Sequence, residues 1–120
     1  MEESIELCGI RLQPKADKIF ISGPMTGYPD FNFPLFNEVS KTLIEKGFDV
    51  VNPVDICRKY KKERVLSDKE IFNAMIDEQQ KEERKCTVLL LLPKWENSAG
   101  VRLELQTAIE LKMKIVQWRN

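Results

Sequence analysis

One glutamate near the end of the chain differs from the polar residues around it. If Ser98–Lys112 forms a helix, at about 100 degrees per residue, Glu104 lies at the margin of the apolar stripe, which comprises Val101, Leu105, Ala108 and Ile109. The polar residues Arg102, Gln106 and Glu110 point the other way. A carboxylate at this margin is partly withdrawn from water, so its pKa should rise unless it is paired. Glu104 is therefore a candidate for catalysis.

A structural role is the alternative for Glu104. Its carboxylate could pair with a lysine such as Lys94, or it could reach solvent at the edge of the domain. Structural ion pairs also perturb carboxylates. The helical pattern leaves both interpretations open.

Two segments could bring the backbone close to a ligand. The loop from Gly23 to Gly27, which includes Pro24 and Met25, has the form of a tight turn or a ligand loop. It lacks the spacings of a P-loop or a dinucleotide motif. Ser98 and Gly100 begin the helix of Glu104, where free N–H groups and the helix dipole suit a phosphate or a ribose hydroxyl. The loop could also be an ordinary turn, and Ser98 merely an N-cap.

Other side chains allow two interpretations each. Tyr28, Phe31 and Phe33 could stack on a base, or they could form a hydrophobic lid or staple without a ligand. Asp77 lies on the helix before the third strand, where a surface carboxylate is the default. Cys86 begins that strand and is predicted to be a core residue without a catalytic role.

The composition excludes several classes of mechanism. The chain has no histidine, and its three cysteines form no C-x-x-C pair. Hydrolysis by Ser–His or Cys–His pairs is therefore excluded, and a zinc site of the usual kind is close to excluded. If the protein is an enzyme, carboxylates must carry the chemistry, and we predict no metal and no cofactor.

Charge and hydropathy restrict the partners and the location. Lysines plus arginines number 19, as do aspartates plus glutamates, so no global field attracts polymeric nucleic acid or an acidic membrane. The longest apolar run, Val88 to Pro93, is too short for a membrane helix, and residues 1–7 lack the pattern of a signal peptide. These features predict a cytoplasmic protein without a membrane or nucleic-acid partner.

Strands and helices alternate along the chain after residue 17. Residues 1–17 are predicted to be an extension, with a short edge strand at Ile5–Ile10. Asn32 should cap the first helix, which Gly47 ends, and Ser67 with Glu70 should form a capping box on the second. The predicted strands are 18–22, 48–51, 87–92 and 114–118. The first predicted helix follows Asn32, and the other two span 67–84 and 98–112. The segment Arg58–Arg64 is predicted to be a charged loop or frayed helix.

This alternation predicts one α/β domain over residues 18–120. Its expected form is a three-layer, flavodoxin-like (Rossmann-like) sandwich around a parallel sheet of strand order 2-1-3-4. Such sheets bind ligands outside the carboxyl ends of the strands, where the strand order reverses. The loops 23–32 and 93–100 should therefore face the same crevice.

Three stretches resemble the nucleoside 2-deoxyribosyltransferase superfamily, and most closely an uncharacterised, often phage-encoded branch of it. They are Lys18–Met25, Gly47–Pro53, and Ser98–Leu105 with Ala108. The resemblance spans about residues 18–117. It implies that Glu104, four residues after Gly100, attacks the anomeric carbon of a deoxyriboside and forms a covalent glycosyl-enzyme. It also implies that Asp77 assists the leaving base and that Gly23, Pro24, Met25 and Gly27 line the pocket.

The chain departs from this superfamily at two positions. Ser98 stands where transferases of free nucleosides carry an aspartate, and the similar 2'-deoxynucleoside 5'-monophosphate glycosidases have a phosphate-binding serine there. Ser98 therefore favours nucleotides, since a carboxylate would repel phosphate. Phe20, expected beside the substrate, stands where both groups have a tyrosine that touches the catalytic carboxylate. Either another group orients Glu104, or catalysis has been lost.

Two main hypotheses about function follow from these residues. The first is an N-glycosidase or deoxyribosyltransferase that acts on a 2'-deoxynucleotide or nucleoside through Glu104. The second is a non-catalytic nucleotide-binding sensor or sponge, and a purely structural subunit is a third. The resemblance further implies a homo-oligomer whose pockets are completed across subunits, in the cytosol of a bacterium or of a phage-infected host.

Overall fold

A four-stranded parallel sheet forms the centre of the protein in the computed structural model, which describes residues 4–61 and 68–118. An N-terminal hairpin contributes β1 (Ile5–Leu7) and β2 (Ile10–Leu12). The sheet contains β3 (Lys18–Ser22), β4 (Asp49–Val51), β5 (Val88–Leu91) and β6 (Lys114–Gln117), in the order β4-β3-β5-β6. Counted within the sheet, this is the order 2-1-3-4. The predicted three-layer α/β sandwich is confirmed.

Four α-helices connect and cover the strands. They are α1 (Phe33–Glu45), α2 (Pro53–Lys61), α3 (Asp68–Glu83) and α4 (Ala99–Glu110). Short 3-10 turns at Pro29–Asn32 and Trp95–Asn97 precede α1 and α4. Within the described ranges, none of these helices combines the length and the apolar character needed to cross a membrane.

Helix α2 differs from the prediction, which placed only a charged loop or frayed helix at Arg58–Arg64. Asn52 does not merely stop a strand, because its Oδ1 atom accepts a hydrogen bond of 3.1 Å from the Val54 N–H. Pro53 then occupies the first helical position, where its missing N–H costs nothing. The Asn-Pro pair is thus a helix start.

The other predicted helix caps have different outcomes. Asn32 precedes α1 but has left-handed backbone angles, and its side chain makes no capping hydrogen bond. The predicted capping box cannot be followed, since Ser67 lies outside the described residues. Ser98 caps α4 as predicted.

The N-terminal segment forms a hairpin rather than an edge strand. Cys8 and Gly9 both have positive φ angles, of 53° and 76°, and reverse the chain between β1 and β2. The two strands pair only with each other, while Leu12 is fully buried in the core on the α1 side of the sheet. The predicted edge strand at Ile5–Ile10 is therefore wrong, because the turn lies within it.

Alternation along β3 assigns its side chains to two cores. Ile19 and Ile21 pack in the core beside α1, whereas Phe20 faces the core beside α4. Ser22, two residues after Phe20, has the same facing as Phe20. It therefore points toward α4 at the carboxyl end of the sheet.

The apolar stripe of α4 is narrower than predicted. Val101 and Ala108 are buried against the sheet, as expected. Ile109 is 62% exposed, whereas Thr107 is buried. The helix is therefore rotated so that its buried face is centred closer to Thr107 than the apolar pattern indicates.

Candidate functional site

A cavity of about 530 Å³ lies at the carboxyl ends of β3 and β5. Its walls come from the loop after β3, the first part of α2, one face of α3 and the beginning of α4. Six of the residues predicted for the site line it, namely Gly23, Pro24, Met25, Ser98, Gly100 and Glu104. The two loops expected to share a crevice therefore do so, at the position where the strand order reverses.

The carboxylate of Glu104 is held in place by the end of β3. The Ser22 hydroxyl donates a hydrogen bond of 2.6 Å to Oε1 of Glu104. Burial raises the pKa of Glu104 to about 7, and the hydrogen bond from Ser22 partly offsets this rise. No lysine or arginine of the described ranges forms an ion pair with Glu104, so the alternative pairing with Lys94 is not observed.

Phe20 does not reach the cavity, contrary to the prediction. It is fully buried in the core with Leu89 and Val101. The residue that contacts Glu104 is Ser22, which lies two residues after Phe20 on the same face of β3. In the position left by the missing tyrosine hydroxyl, the Ser22 hydroxyl contacts the carboxylate of Glu104. Strand alternation was the signal that could have identified Ser22.

Asp77 is not brought to the cavity either. Its side chain is exposed and lines a separate shallow depression with Glu78 and Arg84. Asp77 lies about 200 degrees around α3 from Gln79, a residue that lines the main cavity. Asp77 is therefore a surface carboxylate on a different face of α3 from the one that lines the cavity with Glu104.

Helix α3 presents a mostly apolar stripe to the cavity. Phe72, Met75, Ile76 and Gln79 all line it. Their spacing of i, i+3, i+4 and i+7 is that of one helical face, and this spacing could have identified them from the sequence. Gln79 is 9% exposed, and its Nε2 atom donates a long hydrogen bond of 3.8 Å to the Cys57 thiol.

Two contacts fix the loop after β3, namely the close packing of Gly23 against Leu92 and a side-chain hydrogen bond to the backbone of Pro24. A Cβ atom on Gly23 would lie 2.8 Å from Cβ of Leu92, so only glycine fits there without displacement. Asn32 Nδ2 donates a hydrogen bond of 2.9 Å to the Pro24 carbonyl. Gly27 has a φ of +87° and does not line the cavity, so its role is to form the turn.

The three aromatic residues of this region separate in space. Tyr28 lines the cavity. Phe31 and Phe33 do not; their rings contact each other, with centroids 6.0 Å apart. Only Tyr28 is therefore placed to contact a ligand.

The beginning of α4 has a capping serine and lines the cavity. The Ser98 Oγ atom accepts a hydrogen bond of 3.3 Å from the Val101 N–H, which confirms the predicted N-cap. Ser98, Ala99 and Gly100 also line the cavity. A Cβ atom on Gly100 would meet only Ser98 Oγ, at 3.8 Å, so packing does not require glycine there.

One known protein family matches almost the whole chain. Residues 17–117 match a domain of unknown function, DUF4406. The chain belongs to this family. The matched DUF4406 region contains the whole parallel sheet and every residue that lines the cavity, and it leaves out the β1–β2 hairpin. No curated protein matches the chain.

A fully buried carboxylate lies at the end of α3 in this DUF4406 domain. Glu83 is fully buried, and neither of its carboxylate oxygens has a hydrogen-bond partner among the described residues. Burial and the nearby charge of Glu104 raise the pKa of Glu83 to about 8. Both effects favour the neutral form of Glu83, a residue that no sequence pattern singled out.

The chemistry available in the cavity of the DUF4406 domain is that of a single carboxylate. Glu104 is the one charged residue among the described residues that line it. Over residues 4–61 and 68–118, no group of three or more histidine, cysteine, aspartate or glutamate side chains could hold a metal. Cys86 is in the core, where burial raises its pKa to about 12. The arrangement suits nucleophilic attack or hydrogen bonding by Glu104.

Proposed function

We propose that this protein cleaves or transfers the N-glycosidic bond of a 2'-deoxynucleotide or 2'-deoxynucleoside, with Glu104 as the nucleophile. The observation that carries the proposal is a carboxylate at the cavity wall, held by Ser22 at 2.6 Å and withdrawn from water. A fixed, partly desolvated carboxylate suits attack on an oxocarbenium-like carbon.

In the proposed reaction, Glu104 acts through one carboxylate oxygen while the other is held. Ser22 occupies Oε1, which leaves Oε2 to attack C1' as the bond from C1' to the base nitrogen breaks. The base departs with that electron pair and takes a proton from solvent. Water or a second base then attacks C1' and releases the Glu104 carboxylate, which completes hydrolysis or transfer.

The two ends of the cavity support a placement for the substrate. The beginning of α4, with Ser98 and Gly100, has the free N–H groups and the helix dipole that suit a 5'-phosphate or a 5'-hydroxyl. The stripe on α3 offers apolar surface for a heterocycle. Glu104 lies one helical turn beyond Gly100 and lines the same cavity as both regions, which suits a nucleophile toward C1'.

Intact-mass analysis with a 2'-deoxy-2'-fluoro nucleoside or nucleotide tests the proposal. We expect an adduct on Glu104 and release of base from a natural 2'-deoxy substrate, and we expect Glu104→Gln to abolish both. Glu110→Gln is the matched control, because it changes an exposed glutamate of the same helix. No adduct and no base release with any of the common bases, with or without 5'-phosphate, would contradict the proposal.

A non-catalytic nucleotide-binding module is the second candidate. It is favoured by the absence of a second charged group from the described cavity lining, since glycosidases generally use two carboxylates. In this case the ligand is recovered unaltered after tight binding. Glu104→Gln then changes the affinity little, which calorimetry would measure.

A homo-oligomer is also part of the proposal. Helix α4 exposes Leu103 and Ile109, and its C-cap residue Leu111 is also exposed, so a second copy could cover these large apolar side chains. Light scattering after size-exclusion chromatography should then give a mass of at least twice the 14.0 kDa of the chain. A monomeric mass at high micromolar concentration would contradict it.

A further inference from the structure

Gln79 is a buried amide whose hydrogen-bonding capacity is poorly used by the protein. Its Nε2 atom donates to the Cys57 sulfur at 3.8 Å, a long contact to a weak acceptor. Its Oε1 atom accepts no hydrogen bond from the described residues. That oxygen is also not among the fully buried side-chain atoms without a partner, and Gln79 lines the cavity.

A buried amide in this condition is costly for folding alone. A largely buried side-chain amide without adequate partners makes a fold less stable than a satisfied one would. A leucine or methionine would fill the same position between Ile76 and Glu83 without this cost. The amide oxygen without a protein partner therefore points to a ligand that donates a hydrogen bond to it.

The surroundings of Gln79 indicate the shape of that ligand. Phe72, Met75 and Ile76 extend from it along the same face of α3, and Pro53 and Cys57 line the cavity from α2. These side chains form an apolar wall with one polar group at its inner end. A planar heterocycle with a polar edge fits such a wall, with its faces on apolar atoms and its edge at the amide.

We infer that Gln79 reads the edge of the nucleobase and is the main determinant of base specificity. This inference rests on the proposed function and assigns a residue to its base subsite. Oε1 accepts a hydrogen bond from an N–H of the base, and the second Nε2 hydrogen is donated to the acceptor beside it. The amide thus selects an edge with a donor next to an acceptor, as in the paired contacts that glutamine makes to adenine.

Gln79, rather than Asp77, is the polar residue of α3 that lines the cavity. The two residues differ in chemistry as well as in orientation. An aspartate could give a proton to the departing base, whereas an amide cannot do so at neutral pH and can only bind. Gln79 therefore acts on the choice of base rather than on the proton transfer.

The test compares each natural base with an analogue that lacks the donor. Suitable pairs are 2'-deoxyadenosine with its purine analogue without the 6-amino group, and thymidine with N3-methylthymidine, each with and without a 5'-phosphate. Both kcat/KM for base release and Kd by calorimetry are measured for every pair. The variants are Gln79→Met, which keeps the shape without the amide, and Gln80→Met, the same change one residue along, where the side chain lines the depression of Asp77 instead.

The wild-type protein and Gln80→Met should favour the natural base over its analogue by about 10-fold or more for the preferred pair. Gln79→Met should reduce this ratio to within about 2-fold of one. Gln79→Leu provides a second variant if Gln79→Met does not fold, and it should reduce the ratio in the same way, because it also lacks the amide.

The outcomes separate this inference from the proposed function. Base release with a ratio that Gln79→Met leaves unchanged overturns the subsite and leaves the proposed function standing. Without base release the proposed function fails, and the ratio of Kd values alone then decides the subsite in the same way. If the wild-type protein binds none of these compounds at millimolar concentration, the inference is overturned.

Discussion

The hydroxyl of Ser22 and the carboxylate of Glu104 meet at 2.6 Å although 82 residues separate them in the chain. Ser22 ends the strand beside the reversal of strand order, and Glu104 lies in the second turn of the helix that follows the neighbouring strand. The contact therefore joins the two elements that border the crevice. It fixes Oε1, while no described residue donates a hydrogen bond to Oε2.

Loss of the Ser22 hydroxyl should raise the pKa of Glu104. The hydrogen bond stabilises the charged carboxylate, so without it the pKa should lie above the present value of about 7. Because attack needs the ionised form, the rate should increase with pH through this pKa. In Ser22→Ala the rising limb of the kcat/KM profile should move to higher pH, with a loss of several-fold at pH 6 and a smaller loss at pH 9.

Ser22→Thr is the matched control, since it keeps a hydroxyl at the same position. The rising limb of its kcat/KM profile should lie at nearly the same pH as that of the wild-type protein. A pH profile of Ser22→Ala that overlaps the wild-type profile would show that the hydrogen bond does not govern the ionisation of Glu104.

Replacement of Glu83 should stabilise the fold at high pH. The pKa of Glu83 is raised from 4.5 to about 8, so its contribution to stability is fully present below pH 4.5 and is lost as the pH rises through 8. Glu83→Gln keeps the shape and removes this titration. Its advantage over the wild-type protein should grow between pH 5 and pH 9, to an amount on the order of a few kcal/mol.

Urea unfolding at a series of pH values measures this effect. Glu104 contributes a slope of the same sign, because its pKa is also raised. Glu83→Gln should therefore flatten the dependence on pH without abolishing it. An unfolding free energy that falls equally steeply in the variant would exclude a neutral, buried Glu83.

Two alanine substitutions should separate packing from ligand binding. In Gly23→Ala the new Cβ atom would lie 2.8 Å from Cβ of the buried Leu92, so we expect a loss of stability of about 1–3 kcal/mol. In Gly100→Ala the nearest atom is 3.8 Å away, and stability should change by about 0.5 kcal/mol or less.

The added methyl group of Gly100→Ala should nevertheless weaken nucleotide binding, since this residue lines the cavity where the α4 N–H groups are open. Thermal unfolding and calorimetric titration measure the two effects. Unchanged affinity in Gly100→Ala would argue against a ligand at the beginning of α4.

Loss of the Asp17 charge should destabilise the fold without affecting the cavity. Asp17 is buried at the opposite, amino end of the strands, where it accepts hydrogen bonds from Lys114 at 3.1 Å, from Thr87 and from the Gln13 N–H. Burial opposes ionisation, but these hydrogen bonds together lower the pKa of Asp17. Asp17→Asn should cost about 1–3 kcal/mol.

The effect of Asp17→Asn should be largest near neutral pH and should diminish in acid. A depressed pKa contributes stability above the value of the unfolded state, 3.8, and this contribution is lost as the pH falls through the lower folded value. Ligand affinity of the folded variant should equal that of the wild-type protein. A reduced affinity would mean that the two ends of the sheet are coupled.

Much of the fold could be predicted because it depends on patterns within single elements. The continuous apolar run from Val88 to Leu92 indicates a strand covered on both faces, and alternation with helices then implies the parallel sheet and the crevice at its carboxyl edge. The place of Glu104 on its helix followed from helical spacing in the same way. The hairpin and α2 were missed because their determinants are local turn conformations at Cys8 and Asn52, which periodicity does not report.

The sequence by itself determined which residues share a face of one element, whereas only the tertiary structure decided which faces meet. Periodicity alone puts Ser22 on the same strand face as Phe20 and puts Asp77 opposite Gln79 on α3, because strands repeat every two residues and helices every 3.6. It could not give the rotation of α3 about its axis, which packing against α2 and α4 decides and which turns Gln79, not Asp77, into the cavity. The contact of Ser22 with Glu104 and the burial of Glu83 depend on the same packing, since each requires two elements to approach each other at one register.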